Sequence, residues 1–530
     1  MSPNKNKPLS NRRDFLKKSL LVVGPALSFN PLSLLAANTI RTKKSNGYWM
    51  LASHRIHPMT KLIPFHSEKY RKSTSAVFTK TPDYPISKLK LSFSNWATLS
   101  SGIQEPEIDG VASIKVKGAL FINGTLFTTL TFKGSTETNV SPGEDVWCDE
   151  VNVPKWISQD VEVRTYCETK SGTPRLASYR NRQGNTRDAV VFDANDETHL
   201  ALLSGQKNEV PFTKYSTYFY GPSLMVSDGW DGRNVVLCVG DSIGYGDNFG
   251  VSWLTNGIND EQGLRLPYAN FCVQGTRASG QSSLEAGAYR RKARLLKSIN
   301  PNSPTVMPFT CVISQMGVND SWGTDGKKLL GKMQVWWAFI KKQWPDTMLI
   351  QTTYTPRCSK DKINFYTSYA SQQSVTTTPP ETDRWYVADI IKATPSPIDH
   401  YIDVREAWTG SKKGYLWREL GYNGKLISDI PVGESLCLVD IAPPIGSAIV
   451  FSAGSNAVEL PYAVVTRIEG NGPYRVAFSK PVKKSHAIGS SVKITMSADG
   501  VHPFGGYANK FASLAVINFK VKHLLEMKKR

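Results

Sequence analysis

Two hydrophobic rhythms divide the chain. From residue 231 to about 426, short continuous apolar runs alternate with longer stretches of helical period. Residues 234–239 read NVVLCV, an unbroken apolar run as expected for a parallel strand buried on both faces. Further strands are predicted at 268–273, 310–314, 348–354 and 401–404, with helices at about 282–298, 327–344 and 383–391 between them. A final helix falls at about 506–527. Strands alternating with helices predict an α/β fold with a doubly wound parallel sheet, whose functional groups gather at the carboxyl ends of the strands. Trp336 and Trp337 lie within the helix at 327–344 and read as packing residues.

On either side of this unit the period falls to two. Leu89, Leu91 and Phe93 alternate with polar partners, as do Ile114 and Val116, and Asn123-Gly124 is a hairpin turn. Residues 86–230 therefore predict a β-sandwich without helices, which would bind substrate or pack on its neighbour. Residues 427–496 carry five more short apolar segments separated by Pro- and Gly-rich turns and predict a small β-rich insertion. The α/β unit then consists of 231–426 and 497–530. Residues 38–85 are rich in Ser, Thr and Lys and punctuated by Pro, and read as a lead-in or linker. His54 and His57 within it have a metal-ligand spacing, but no further ligand cluster accompanies them, so no metal site and no cofactor is expected.

The first 37 residues have the form of a bacterial export signal. Arg12-Arg13 leads into Phe15-Leu16-Lys17, a short apolar stretch runs from Ser19 to about Phe29, and Leu35-Ala36-Ala37 offers small residues for cleavage. The arginine pair resembles a twin-arginine signal, with Asn11 where Ser or Thr is commoner. A periplasmic or secreted protein is expected, with no stable membrane insertion once the signal is removed, because no apolar run approaches the length of a bilayer span.

Composition changes this picture little. At 530 residues the chain exceeds what one hydrophobic core organises, and 40% hydrophobic with 20% charged residues is globular composition. The net charge of +20 does add something. A basic surface tolerates anionic partners, acidic glycans included, and equally serves solubility. No nucleic-acid module is visible, so no nucleic-acid partner is expected. The seven cysteines form no CxxC pair, which argues against a disulfide scaffold and a Cys-rich zinc site.

Candidate chemistry clusters at the predicted strand ends. Gly240-Asp241-Ser242 follows the first strand, Gly275 the second, and Gly317-Val318-Asn319-Asp320 the third; Asp499-Gly500-Val501-His502-Pro503 precedes the last helix. Ser242 at a sharp turn would expose its hydroxyl, which becomes a useful nucleophile only when a base takes its proton. His502 is the histidine on these loops, with a reference pKa of about 6.5 suited to that task. Asp499 could fix its tautomer. The backbone N–H of Ser242, that of Gly275 and the amide of Asn319 could stabilise an oxyanion. Asp241 and Asp320 read as structural, bonding loop backbone. Trp322 and Tyr245 are close enough in sequence to line the cleft and bind substrate, or to pack in the core.

In order and type, these blocks resemble the SGNH (GDSL-like) hydrolase family over 232–426 and 497–530. The second block departs from it, with Gln274-Gly275-Thr276-Arg277 where the family places Asn shortly before the glycine. The resemblance implies a flavodoxin-like sheet, catalytic Ser242, His502 and Asp499, and an oxyanion hole of Ser242, Gly275 and Asn319. The expected activity is that of an exported serine esterase removing acyl groups, acetyl first, from a carbohydrate polymer. Open beside it stand a lipid esterase or thioesterase, an acyltransferase onto glycan, and a glycan-binding protein with an inactive hydrolase unit.

Overall fold

The apolar runs of the central region become five short strands: Val236–Val239 (β1), Tyr268–Asn270 (β2), Cys311–Ser314 (β3), Met348–Thr352 (β4) and His400–Ile402 (β5). They pair in parallel in the order β2-β1-β3-β4-β5. Every residue of β1 and β3 is buried, which is why these segments read as continuous rather than alternating. The computed structural model describes residues 48–52, 72–98, 107–109, 112–169, 189–192, 195–207, 209–210, 220–245, 252–260, 265–282, 289–303, 305–321, 324–359, 367, 372–374, 380–410, 416–453, 457–459, 463–497, 502–503 and 505–525. All belong to one compact unit, Lys44–Arg530. The export segment and His54 and His57 lie outside the described residues.

The strand order reverses direction at β1. Right-handed crossovers therefore place the helices before and after that reversal on opposite faces of the sheet. Trp253–Asn259 (α1) packs against Gly505–Phe519 (α5), while Gly326–Gln343 (α3) packs against Pro380–Lys392 (α4); Arg290–Lys297 (α2) buries Leu295 and Leu296 in the same core. Two tryptophans tie α3 to the sheet. Trp336 and Trp337 are fully buried, and their indole N–H groups donate to Ser314 Oγ at 2.9 Å and Gln351 Oε1 at 3.0 Å. Helix α1 was not anticipated from the sequence. It is seven residues long, too short to show a period, and its start is set by Ser252, whose Oγ accepts from Leu254 and Thr255 N–H.

The N-terminal region holds two antiparallel sheets. One orders Met50–Leu51, Leu224–Ser227, Ile86–Ser94 and Val151–Trp156, with Asp145–Trp147 also on Ile86–Ser94. The other orders Ala189–Phe192, Lys72–Lys80, Asp160–Thr169, Ile114–Ile122 and Thr125–Thr129, with Thr138–Val140 also on Ile114–Ile122. Leu89, Leu91 and Phe93 of the first share one buried cluster with Val77, Val116 and Val163 of the second. Two expectations are corrected here. The lead-in expected over 38–85 contains Lys72–Lys80, an interior strand of the second sheet. Its buried positions are mostly Ser and Thr, with hydroxyls satisfied inside the fold: Ser75 Oγ donates to Tyr220 O, and Thr74 Oγ1 lies 2.7 Å from His199 Nδ1. The region expected to lack helices contains Asp196–Ser204, capped by the Asn195 side chain on Thr198 N–H.

Residues 423–495 form a four-stranded and a three-stranded antiparallel sheet around Leu426, Val439, Phe451, Val476 and Val492. All seven cysteines are buried and none is joined in a disulfide. Among the described residues, no helix is long and apolar enough to cross a membrane.

The contact between α1 and α5 depends on Gly257. A Cβ there would fall 2.4 Å from Val516 Cβ and 2.9 Å from Ser513 O. Gly257→Ala should lower stability by about 1–3 kcal/mol, the range for overpacking a tight core. Urea denaturation checks this, and Val516→Ala added to the first change should leave most of the loss in place, because alanine keeps the Cβ that the new methyl meets at 2.4 Å. An unchanged midpoint for Gly257→Ala would mean that the helices part without cost.

Candidate active site

The site is built on the carboxyl ends of β1 and β3. After β1 the chain turns at Gly240-Asp241 into a single helical turn, Ser242–Tyr245. Gln315, directly after β3, reaches across: its Oε1 accepts from Asp241 N–H at 3.2 Å and Gly244 N–H at 2.9 Å. Cys272 fills the remaining space, and a Cβ on Gly244 would come within 2.7 Å of its Sγ. Asn270 Nδ2 and Ser252 Oγ both donate to Gly244 O, at 3.2 and 2.7 Å. Four buried side chains thus fix one turn, and the outcome is that Ser242 Oγ stands 2.7 Å from His502 Nε2. Those two residues are 260 positions apart in the chain.

His502 is positioned through its own backbone. Ser497 Oγ donates to His502 O at 2.8 Å, and Ser497 bridges to Pro503. Asp499 and Trp322 lie outside the described residues.

The loops after β2 and β3 are clipped together. Asp320 accepts from Ala278 N–H at 2.6 Å, Ser279 N–H at 3.1 Å and Ser279 Oγ at 2.9 Å. Beside it, Asn319 Nδ2 donates to Thr276 O at 3.0 Å. An amide nitrogen carries two hydrogens, so this bond fixes the side chain and leaves the second N–H for another acceptor. Gly275 has φ +76°, a left-handed conformation that favours glycine. Gly317 has φ +123°, and a Cβ there would lie 2.4 Å from the Tyr354 ring. Tyr245, half-buried, packs against the main core.

The structure therefore brings Ser242 and His502 together and ties the Asn319 loop to the loop that carries Gly275. Gln315, Thr276, Ser252 and Ser497 support the arrangement and were missed from the sequence. Gln315 alone left a signal, a polar residue that directly follows a buried apolar run. Among the described residues, no group of three or more His, Cys, Asp or Glu could hold a metal ion.

Asp241 is fully buried, and Ile243 N–H donates to its Oδ1 at 2.9 Å. Burial pushes its carboxyl up to about 7, against the lowering pull of the Ile243 N–H and the nearby His502.

No protein-family model matches the chain, and no curated protein matches it. Solved structures with some likeness include the salicylyl-acyltransferase of a tetracycline biosynthetic pathway, at 12% identity and TM-score 0.24, over 64% of this chain and 72% of that one. A family two carbohydrate esterase from Clostridium thermocellum, solved with cellohexaose, gives 8% identity and TM-score 0.24 over 67% and 88%. A GDSL-like lipase from Bacteroides thetaiotaomicron gives 10% identity and TM-score 0.22 over 35% and 75%. Likenesses this loose carry no weight for what this chain binds or does.

The raised Asp241 carboxyl has a consequence for stability. Between the ordinary aspartate range and about 7 the folded chain holds a proton that the unfolded chain has lost, so this group's contribution falls as pH rises through that window. Asp241→Asn keeps the acceptor for Ile243 N–H and removes the charge. Its urea midpoint should gain on the parent protein's from pH 5 to about 7 and level off above that. A constant difference across that range would place the carboxyl's titration elsewhere.

Proposed function

We propose that the protein is an exported serine esterase that removes acyl groups, acetyl foremost, from a carbohydrate polymer. The observation that carries this reading is the 2.7 Å approach of Ser242 Oγ to His502 Nε2 at the carboxyl end of a parallel sheet. That distance is within reach for proton transfer from a nucleophile to a general base.

In the proposed reaction His502 Nε2 takes the Ser242 proton as Oγ attacks the ester carbonyl. The carbonyl π bond becomes an oxyanion, received by the N–H groups of Ser242 and Gly275 and the free N–H of Asn319. The bond between Asn319 Nδ2 and Thr276 O supports this role, because a pre-oriented donor needs no reorganisation when charge develops. Collapse re-forms the carbonyl and breaks its bond to the sugar oxygen, which takes the proton from His502 and departs as a hydroxyl, leaving an acyl-serine. Water then repeats the sequence and releases the acid. Asp499 is assigned to the imidazole Nδ1–H, and Tyr245 and Trp322 to substrate contact, from the sequence blocks alone.

Export is supported by Arg12-Arg13 and the apolar stretch that follows them. A polymeric substrate is supported by the amount of β-structure that frames the α/β unit.

Ser242→Ala and His502→Ala should each lower turnover of p-nitrophenyl acetate by several orders of magnitude. The double variant should be hardly worse than either, because nucleophile and base act as a unit. Near-parental turnover by Ser242→Ala would overturn the assignment. Asn319→Ala should lower kcat by roughly 10²–10³ with KM little changed; an effect confined to KM would make Asn319 a binding residue instead. Across p-nitrophenyl esters of increasing chain length, acetyl should be turned over fastest, and acetate should be released from at least one acetylated polysaccharide. Preference for long acyl chains with no such release would favour the lipid esterase.

A further inference from the structure

A cavity of about 500 Å³ opens where the first N-terminal sheet meets the segment after α2. That volume is within the range of small-molecule sites. Helix α2 leads from β2 back to the start of β3, so Ser298–Ser303 lie at the amino edge of the parallel sheet. Ser242 lies at the carboxyl edge. This cavity is therefore separate from the candidate active site.

Its walls are aromatic and fixed. Asn300, itself buried, clamps the Trp49 backbone: its Oδ1 accepts from Trp49 N–H at 2.9 Å and its Nδ2 donates to Trp49 O at 3.0 Å. The Lys90 ammonium lies 4.5 Å above the Trp49 ring, a cation–π contact that holds the indole. Trp147 Nε1–H donates to Ser298 Oγ at 3.0 Å. The indole so tethered lines the cavity and packs against the main core. Tyr48 adds a third aromatic ring. None of these rings is fully buried.

The polar lining is mixed and balanced. Lys90 Nζ pairs with Glu150 Oε1 at 3.3 Å, and Glu150 Oε2 also takes Lys88 Nζ at 2.8 Å, so both charged groups of the lining are already engaged in ion pairs. Asn302 and Ser303, beside them, supply both donors and acceptors. Flat apolar faces next to neutral hydrogen-bonding groups of both kinds complement a pyranose ring, with C–H groups on its faces and hydroxyls around its rim. Walls held in place before binding add little ordering cost.

We infer that this cleft is a second, non-catalytic site that binds neutral sugar units of a glycan. It does not rest on the esterase reading, since binding is measured without turnover.

The test uses the full chain and three unesterified probes: cellohexaose, xylohexaose and mannohexaose. Calorimetry with tryptophan fluorescence should show at least one binding with a Kd of roughly 1 mM or tighter. Tyr48→Ala should weaken it about tenfold, the effect of losing one stacked ring. Asn302→Trp, an exposed position that fills the cleft without removing a packing residue, should abolish it. Turnover of p-nitrophenyl acetate should remain at the parental level in both variants. Absence of binding by all three probes, or full binding by Asn302→Trp, overturns the proposal. Loss of small-ester turnover in Asn302→Trp would also overturn it, because the cleft would then not be separate from the reacting centre.

Discussion

One glutamine amide holds the site's geometry. Gln315 Oε1 leaves the end of β3, crosses to the end of β1, and accepts from two backbone N–H groups of the turn that carries Ser242. Each such bond is worth only about 1 kcal/mol net, but a buried N–H left without its acceptor costs more. The turn therefore has one arrangement in which its donors are satisfied. The missing side chains at Gly240 and Gly244 are part of the same constraint: a Cβ at either would press on Cys272 Sγ and on Gln315 Oε1. Once the turn is set, Ser242 Oγ has one direction, and His502 meets it there.

The two aspartates beside this turn show how polar groups can be buried at different cost. Asp320 collects three donors from the loop after β2 and serves as a clip between two loops. Asp241 accepts from Ile243 N–H and is cut off from water, so its carboxyl is driven toward the neutral form. The turn that carries Ser242 thus sits on a floor that excludes solvent. A dry floor strengthens any interaction with charge that develops above it.

The parallel sheet was legible because its strands are buried on both faces, which leaves unbroken apolar runs such as that of β1. The blocks at its strand ends were legible because each pairs a turn-forming glycine with a polar residue. Lys72–Lys80 was not, because its inward positions are largely hydroxyl residues whose partners are on other elements; no local period records that Thr74 meets His199. Asp196–Ser204 escaped because two turns of helix among strands are too short for a period to accumulate, although Asn195 marks its start. The 2.7 Å approach of Ser242 and His502 could not be read from residues 260 positions apart. His502 lies three residues before α5, and α5 packs on α1 beside a glycine whose reason is visible only against Val516.

The aromatic cleft and the Ser242–His502 pair lie at opposite edges of one rigid sheet. A strand of five residues such as β4 spans roughly 17 Å, so no single sugar unit touches both. Coupling between them can arise only when one long molecule occupies both, and it then acts through effective concentration rather than through contact. A small ester would be blind to such an arrangement, since under the proposed function it is bound and released at one edge. A polymer held at the amino edge would present its substituents repeatedly to the carboxyl edge, and its apparent affinity would exceed that of any fragment. The framing β-structure would thus serve a surface longer than the reaction itself requires.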